Sequence, residues 1–356
     1  MKKHLTILLA IFLLTSLLPG CGSKKTAGPA QSGPVSSGKS AQSGSASSAK
    51  SVQPTGALAS AAPKSAPQEG TPKVYMTTHI TPDGLMAVYN ALGRKATGKV
   101  AVKLTVGEPT DTYYLSPDLI KEFVLSVKGT FVDCNTVYGG QRTGTAMHLQ
   151  VAKDHGFTAY TKMDIMDADG SFDIPVVGGK HLKKDIIGSH LKDYDSVVIL
   201  SHFKGHEMAG FGGAIKNMSI GIAAQAGKSW IHSAGTSVQG FVLGNHKSFL
   251  ESMTEAAKAV ADYSGDRILY INVMNNLSID CDCEAHPAIP QMKDIGILAS
   301  LDPVALDKAC EDRVYAAPDG QALIARMESL DANYTLDYGQ QIGLGSEKYQ
   351  LVNVDG

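Results

Sequence analysis

What most limits how this chain can fold is the alternation of short β-branched runs with segments of helical period. Lys99–Val106 (KVAVKLTV), Thr130–Cys134, Ser196–Leu200 (SVVIL) and Arg267–Val273 (RILYINV) are rich in consecutive apolar positions, as strands buried on both faces are. Between them, Leu119, Ile120, Phe123, Val124 and Val127 recur at helical spacing, and Thr143–His155 reads as a helix. Phe249, Leu250, Met253, Ala257 and Val260 form another helix, stopped by Ser264-Gly265. Ser116-Pro117 and Asp302-Pro303 mark helix starts. This order predicts an α/β fold with a mostly parallel sheet and crossover helices, in one large domain or two closely packed lobes. Its site is expected in the loops after strand C-termini.

The N-terminus has a different logic. Lys2 and Lys3 precede an apolar run from Leu5 to Leu18, too short for a comfortable membrane span, and Leu18-Pro19-Gly20-Cys21 follows. That order predicts a signal peptide over residues 1–20. The Leu-Pro-Gly-Cys segment resembles the bacterial lipobox, which implies a lipid on Cys21 and an anchor on the extracytoplasmic face of the cell membrane. From Gly22 to Pro72 the chain is mostly Ser, Ala, Gly, Pro and Lys, with no aromatic residue and one acidic residue, Glu69. Such a segment cannot bury enough apolar surface to order itself, so residues 21–72 read as a tether and residues 73–356 as the folded domain, its core about 74–314. A hydrophobic fraction of 43% suffices for that domain. The net charge of −2 creates no field for nucleic acid, although Lys24 and Lys25 can touch anionic headgroups.

Chemistry concentrates in two segments. Leu200–Gly221 (LSHFKGHEMAGFGGAIKNMSIG) follows the most apolar strand, a layout that aims backbone N–H groups at an anion. His202, Lys204, His206 and Lys216 surround Gly210, Gly212 and Gly213 there, and His232 follows. The second segment is Asp280-Cys281-Asp282-Cys283-Glu284, with His286 after it. Thiolates, carboxylates and imidazole suit a soft-to-borderline metal, although the spacing is not that of a zinc ribbon. Cys281 and Cys283 flank one residue and do not readily bridge each other. Metal ligation, thiol redox, a bridge to Cys134 or Cys310, and inert thiols all remain open. Asp164, Asp167, Asp169 and Asp173 read as a solvated turn, Trp230 as core, and Asp307 as a packing or exposed carboxylate.

The blocks Ser201–Gly221, Asn275–Cys283 (NNLSIDCDC) and Asp294–Cys310 resemble domain-of-unknown-function family 362. Many relatives carry an inserted ferredoxin-like module with several CxxC motifs. This sequence has none, so no such iron–sulfur centre is implied. More distantly, His206–Lys216 (HEMAGFGGAIK) is similar to the HxxAGFSGGxK signature of nickel-pincer lactate racemases. That resemblance implies a catalytic base at His206, a cofactor held by Lys216, and a nickel ligand at His232. It also places Val102–Val124 where the family contacts substrate and cofactor. Racemising a 2-hydroxy acid needs a second base on the opposite face. Where the family has a GxHR-type segment, this chain has Tyr138-Gly139-Gly140-Gln141-Arg142. Glutamine cannot shuttle a proton, whereas Arg142 can hold a carboxylate or phosphate.

Three functions follow. The first is an enzyme using a metal or lysine-linked cofactor on a small organic acid, in a pocket of His202, His206, Lys216, His232 and Arg142 with the three glycines. The second is a lipoprotein that binds a metal ion or small anion without chemistry. The third is a thiol redox protein using Cys281 and Cys283.

Overall fold

The computed structural model describes residues 70–356; the signal segment, Cys21 and the tether lie outside the described residues. The strands are β1 (Lys73–Thr77), β2 (Val100–Lys103), β3 (Gly129–Asp133), β4 (Met163–Ile165), β5 (Ser171–Pro175), β6 (Lys184–Gly188), β7 (Ser196–His202), β8 (Lys204–His206), β9 (Gly210–Gly212), β10 (Ile268–Met274), β11 (Gly296–Ser300) and β12 (Gln350–Asn353). The helices are α1 (Pro82–Ala91), α2 (Pro117–Ser126), α3 (Thr145–Asp154), α4 (Ala214–Ser219), α5 (Gln225–His232), α6 (His246–Ser264), α7 (Pro303–Ala316), α8 (Gln321–Ser329) and α9 (Asn333–Gln341).

Eight strands form one sheet in the order β12-β1-β11-β10-β7-β2-β3-β4. All pair in parallel except β11, which runs against both β1 and β10. The fold is therefore α/β with a mainly parallel sheet. Because side chains alternate along a strand, one sheet serves two cores. Val198, Leu200, Leu269 and Ile271 pack with α1 and α2, whereas Val197, Ile199, Ile268 and Tyr270 pack with α4, α6 and α7. A single sheet thus spans both cores.

Helix starts follow local chemistry. The Asp302 carboxylate accepts from the Ala305 amide at 2.9 Å, as a cap should, whereas Ser116 makes no side-chain cap bond and Pro117 alone sets that start. Trp230 is half-buried at the core's edge, its Nε1 donating to the Lys184 carbonyl at 3.1 Å. In the aspartate-rich turn, His190 sits between Asp164 and Asp169 at 2.8 Å from each, and Asp167 accepts from the Asn135 amide. No helix of the described residues is long and apolar enough to cross a membrane.

Parallel pairing places the C-terminal ends of β2, β3, β7 and β10 along one edge. The loops carrying Glu108, Tyr138 and Arg142, His206, and Cys281 and Cys283 all leave from that edge.

Candidate functional site

The glycine-rich segment folds otherwise than its sequence predicts. β7 does not turn directly into a helix: Lys204–His206 and Gly210–Gly212 first pair as the antiparallel ribbon β8–β9. The amides at the start of α4 do point at an anion, but that anion belongs to the protein. Asp307 accepts from the Ala214 and Ile215 amides at 2.8 and 2.9 Å, and from Asn272 Nδ2 at 2.7 Å. Burial pushes its carboxyl up to about 6. The glycines fit this arrangement. A Cβ on Gly213 would lie 2.4 Å from Asp307 Oδ1, and one on Gly210, whose φ is +79°, would lie 2.4 Å from Ala332 Cβ. Gly213 admits the internal cap and Gly210 a close packing contact, so the expected anion cradle of Gly210, Gly212 and Gly213 is replaced by Asp307.

The ribbon and α4 bring His206 and Lys216 to the cysteine loop. Lys216 Nζ donates to Cys281 Sγ at 3.3 Å, and the Cys283 amide donates to the same sulfur at 3.3 Å. The ligating atoms of His206, Cys281 and Cys283 lie within 4.8 Å of one another. Hydrogen bonding from Cys283, together with Lys216 and His206, holds the Cys281 thiol well below its ordinary range despite burial. Sharing that bond and being buried pushes Cys283 the other way. Burial alone would lower Lys216, but the two sulfurs and Glu207 hold it above its usual value. Glu207, half-buried, reaches Cys283 Sγ at 4.0 Å and His206 Nε2 at 3.7 Å.

Two histidines near Lys216 are fixed in opposite tautomers. The Met208 and Ala209 amides donate to His206 Nδ1 at 3.1 and 3.0 Å, so its neutral ring carries the proton on Nε2, facing Cys281. His232 Nδ1 instead donates to the Lys228 carbonyl at 2.7 Å, which leaves the lone pair on Nε2. Burial pulls His232 down to about 4, and its ring stacks on Phe249 at 5.1 Å. His206 therefore presents an N–H donor where the resemblance implies a base. His232 presents the lone pair that a metal ligand needs.

The two remaining predicted contacts turn inward. His202 Nδ1 faces Asp282 at 3.0 Å and Nε2 faces the Asn275 carbonyl at 2.6 Å, so both ring nitrogens are turned to protein acceptors and neither faces the metal expected there. Lys204 joins the same Asp282 at 2.8 Å, which pins the residue between the cysteines. Arg142 is also spent: Nε and Nη2 reach Glu108 Oε1 at 2.8 and 2.6 Å, Nη1 reaches Thr105, and Nη2 donates to Tyr138 Oη. The carboxylate that Arg142 holds is Glu108. Gln141 is exposed.

All four cysteines of the described residues are free, so the bridge to Cys134 or Cys310 is not formed. Cys134 lies against the Ile222 carbonyl and Cys310 against Asn272. Sequence reasoning missed Glu207, Glu108, Tyr138 and Asp307 as parts of this region. Local signals existed for Glu207, inside the HEMAG segment, for Tyr138, in the segment of Arg142, and for Glu108, within Val102–Val124, whereas Asp307 read only as a packing or exposed carboxylate.

The profile of the family described as Domain of unknown function (DUF362) matches residues 100–312. No curated protein matches the sequence. Similar solved structures include the lactate racemase apoprotein of Thermoanaerobacterium thermosaccharolyticum, 17% identical with a TM-score of 0.37 over 58% of this chain and 50% of that one. A Thermotoga maritima protein is 14% identical, with a TM-score of 0.38 over 73% and 58% of the two chains. This chain spans half to three-fifths of their lengths, and likeness at that level bears on no activity.

Proposed function

The chain belongs to the DUF362 family, and from that premise we propose that it holds a soft or borderline divalent metal ion on Cys281 and Cys283 and presents it to a small organic acid. The observation that carries this reading is the convergence of two thiols and three N–H donors on one point at the C-terminal edge of the sheet. Thiolates select such ions, and the N–H groups of Lys216, His206 and Cys283 around the Cys281 sulfur stabilise it as an anion. Glu207 supplies the nearest further oxygen donor. His206 can join as a ligand only by losing its Nε2 proton, because Nδ1 is already occupied by two amides.

A metal ion there would polarise an oxygen of a bound acid. The Lys216 ammonium and the His206 N–H then offer charge and hydrogen bonds to its carboxylate. A lysine-linked cofactor fits less well: Cys281 Sγ fills the place beside Nζ where such a group would begin, so no step is routed through one. His232 alone meets the nickel-ligand expectation, with a neutral ring and a free Nε2.

Titration of the reduced full-length chain in detergent with zinc or nickel should give one ion per chain. Acids such as lactate should then raise the melting temperature only in the metal-loaded form. If the reduced chain takes up no divalent ion, the reading fails. The exposed Gln141 favours a second reading, in which the same site binds without turnover. Absence of any isotope exchange at the acid's α-carbon in the loaded protein would select it.

We further propose that the chain is anchored outside the cell membrane by a lipid on Cys21, with residues 21–72 as tether. Cys21→Ser should move the protein from the membrane to the soluble fraction. Retention in the membrane would refute the anchor.

A further inference from the structure

Sequence spacing argues against a bridge between Cys281 and Cys283, but the local fold overrides it. A turn closed by the Glu284 amide on the Cys281 carbonyl at 2.9 Å folds the segment back. The Cys283 amide then rests on Cys281 Sγ at 3.3 Å, and the two sulfurs lie within 4.8 Å of each other. Asp282, between them, is clamped on the other side by His202 and Lys204. Both thiols are thereby held on the site's side of the loop. Cys281 is buried and Cys283 is half-buried, the less enclosed of the two. The other two cysteines are buried and have partners elsewhere, Cys134 at Ile222 and Cys310 at Asn272.

We infer that Cys281 and Cys283 form a reversible dithiol–disulfide site, oxidised by small-molecule disulfides, and that closing the bond switches off the metal site. Cys283 sulfur attacks one sulfur of an acceptor RSSR and expels RS⁻, which leaves as RSH with the Cys283 proton. Cys281 sulfur then attacks the Cys283 sulfur of the mixed disulfide, forming the internal S–S bond and expelling the second RS⁻. That anion takes up a proton from solvent, the one Cys281 released on becoming a thiolate. Two thiols lose two electrons in total, and RSSR becomes two RSH. The bond uses both sulfurs that would hold the ion and removes the anionic partner of Lys216. Because Lys216, His206 and the Cys283 amide all contact the sulfur of the reduced form, they favour reduction, as expected of a labile bond rather than a structural one. The switching half of this inference rests on the metal reading; the bond does not.

The test is to incubate the full chain with oxidised glutathione, block remaining thiols by alkylation, and analyse its peptides by mass. The expected product is an internal bond in the peptide holding Cys281 and Cys283, reversed by dithiothreitol. It should persist in Cys310→Ser, and Cys283→Ser should be unable to form it. Zinc should protect the reduced chain, and the oxidised chain should lose zinc binding. A lasting glutathione adduct on the wild-type chain, a bridge to Cys134 or Cys310, or unreacted thiols would each overturn the bond. If the bond forms in a chain whose reduced state binds no zinc, the metal reading falls and the thiol site stands. If zinc binds equally to both forms, the switch is refuted.

Discussion

Two buried clusters at the same edge of the sheet are built from similar groups and differ in how fully their charges are paired, although Asp133 Oδ2 has only the longer contacts to His148 Nε2 at 3.4 Å and Arg142 Nη1 at 3.8 Å. Around Asp133, Lys103 Nζ reaches the carboxylate at 3.1 Å and spends its other donors on the Leu104 carbonyl and Asn217 Oδ1. Arg142 is likewise used up on Glu108, Thr105 and Tyr138. Burial would raise the Asp133 carboxyl, but Lys103 foremost, with His148 and Arg142, holds it well below the usual range. Around Cys281, Lys216 has one sulfur partner, and Cys283 and Glu207 are half-buried beside it. Opposite charges paired inside the fold hold it together, whereas a cluster with fewer paired charges has capacity left for a ligand.

The largest effect should come from breaking the charge-paired cluster around Asp133. Asp133→Ala strands Lys103 without its carboxylate and should cost about 3–5 kcal/mol in denaturant unfolding. A loss under about 1 kcal/mol would mean the two clusters do not differ in this way. Asp307→Ala should cost less, roughly 1–3 kcal/mol, by leaving the Ala214 and Ile215 amides without an acceptor. It should also slow alkylation of Cys281 less than Lys216→Met does, because the cap acts on the sulfur only through α4.

A third effect, of similar size, concerns pH. Asp185 is fully buried, Oδ2 has no partner, and burial raises its carboxyl to about 7. The folded state thus keeps a proton that the unfolded chain releases from about pH 4 upward. Its stabilising contribution is complete below that value and is lost as pH rises through about 7. Asp185→Asn should flatten this fall, with a gain of roughly 1–3 kcal/mol at pH 8 and little change at pH 4. Equal unfolding profiles for both chains would refute the assignment. The smallest effect belongs to the cluster around Cys281: Cys283→Ser should change unfolding by about 1 kcal/mol or less while removing zinc binding. A large loss of stability would make that cluster structural too.

The strands that matter were legible because their apolar runs leave no other use for them: SVVIL and RILYINV are the neighbouring strands β7 and β10. His206, Lys216, Cys281 and Cys283 were legible as reactive types in unusual segments, and the fold brings them together. His202 and Arg142 were legible only as residue types. Whether a histidine or arginine faces a ligand or an internal carboxylate depends on partners such as Asp282 and Glu108, 80 and 34 positions away.

By itself the sequence determined the layered α/β fold, the start of the most chemically loaded loop, and the residue kinds that reach it, because hydrophobic period and turn chemistry are local properties. Only the tertiary structure decided which lone pairs stay free. It gave the helix-start amides to Asp307, put the His206 proton on Nε2 and that of His232 on Nδ1, and set Lys216 against Cys281. Hydrogen-bond valence is allotted by neighbours in space, and here those neighbours come from strands and loops far apart in the chain.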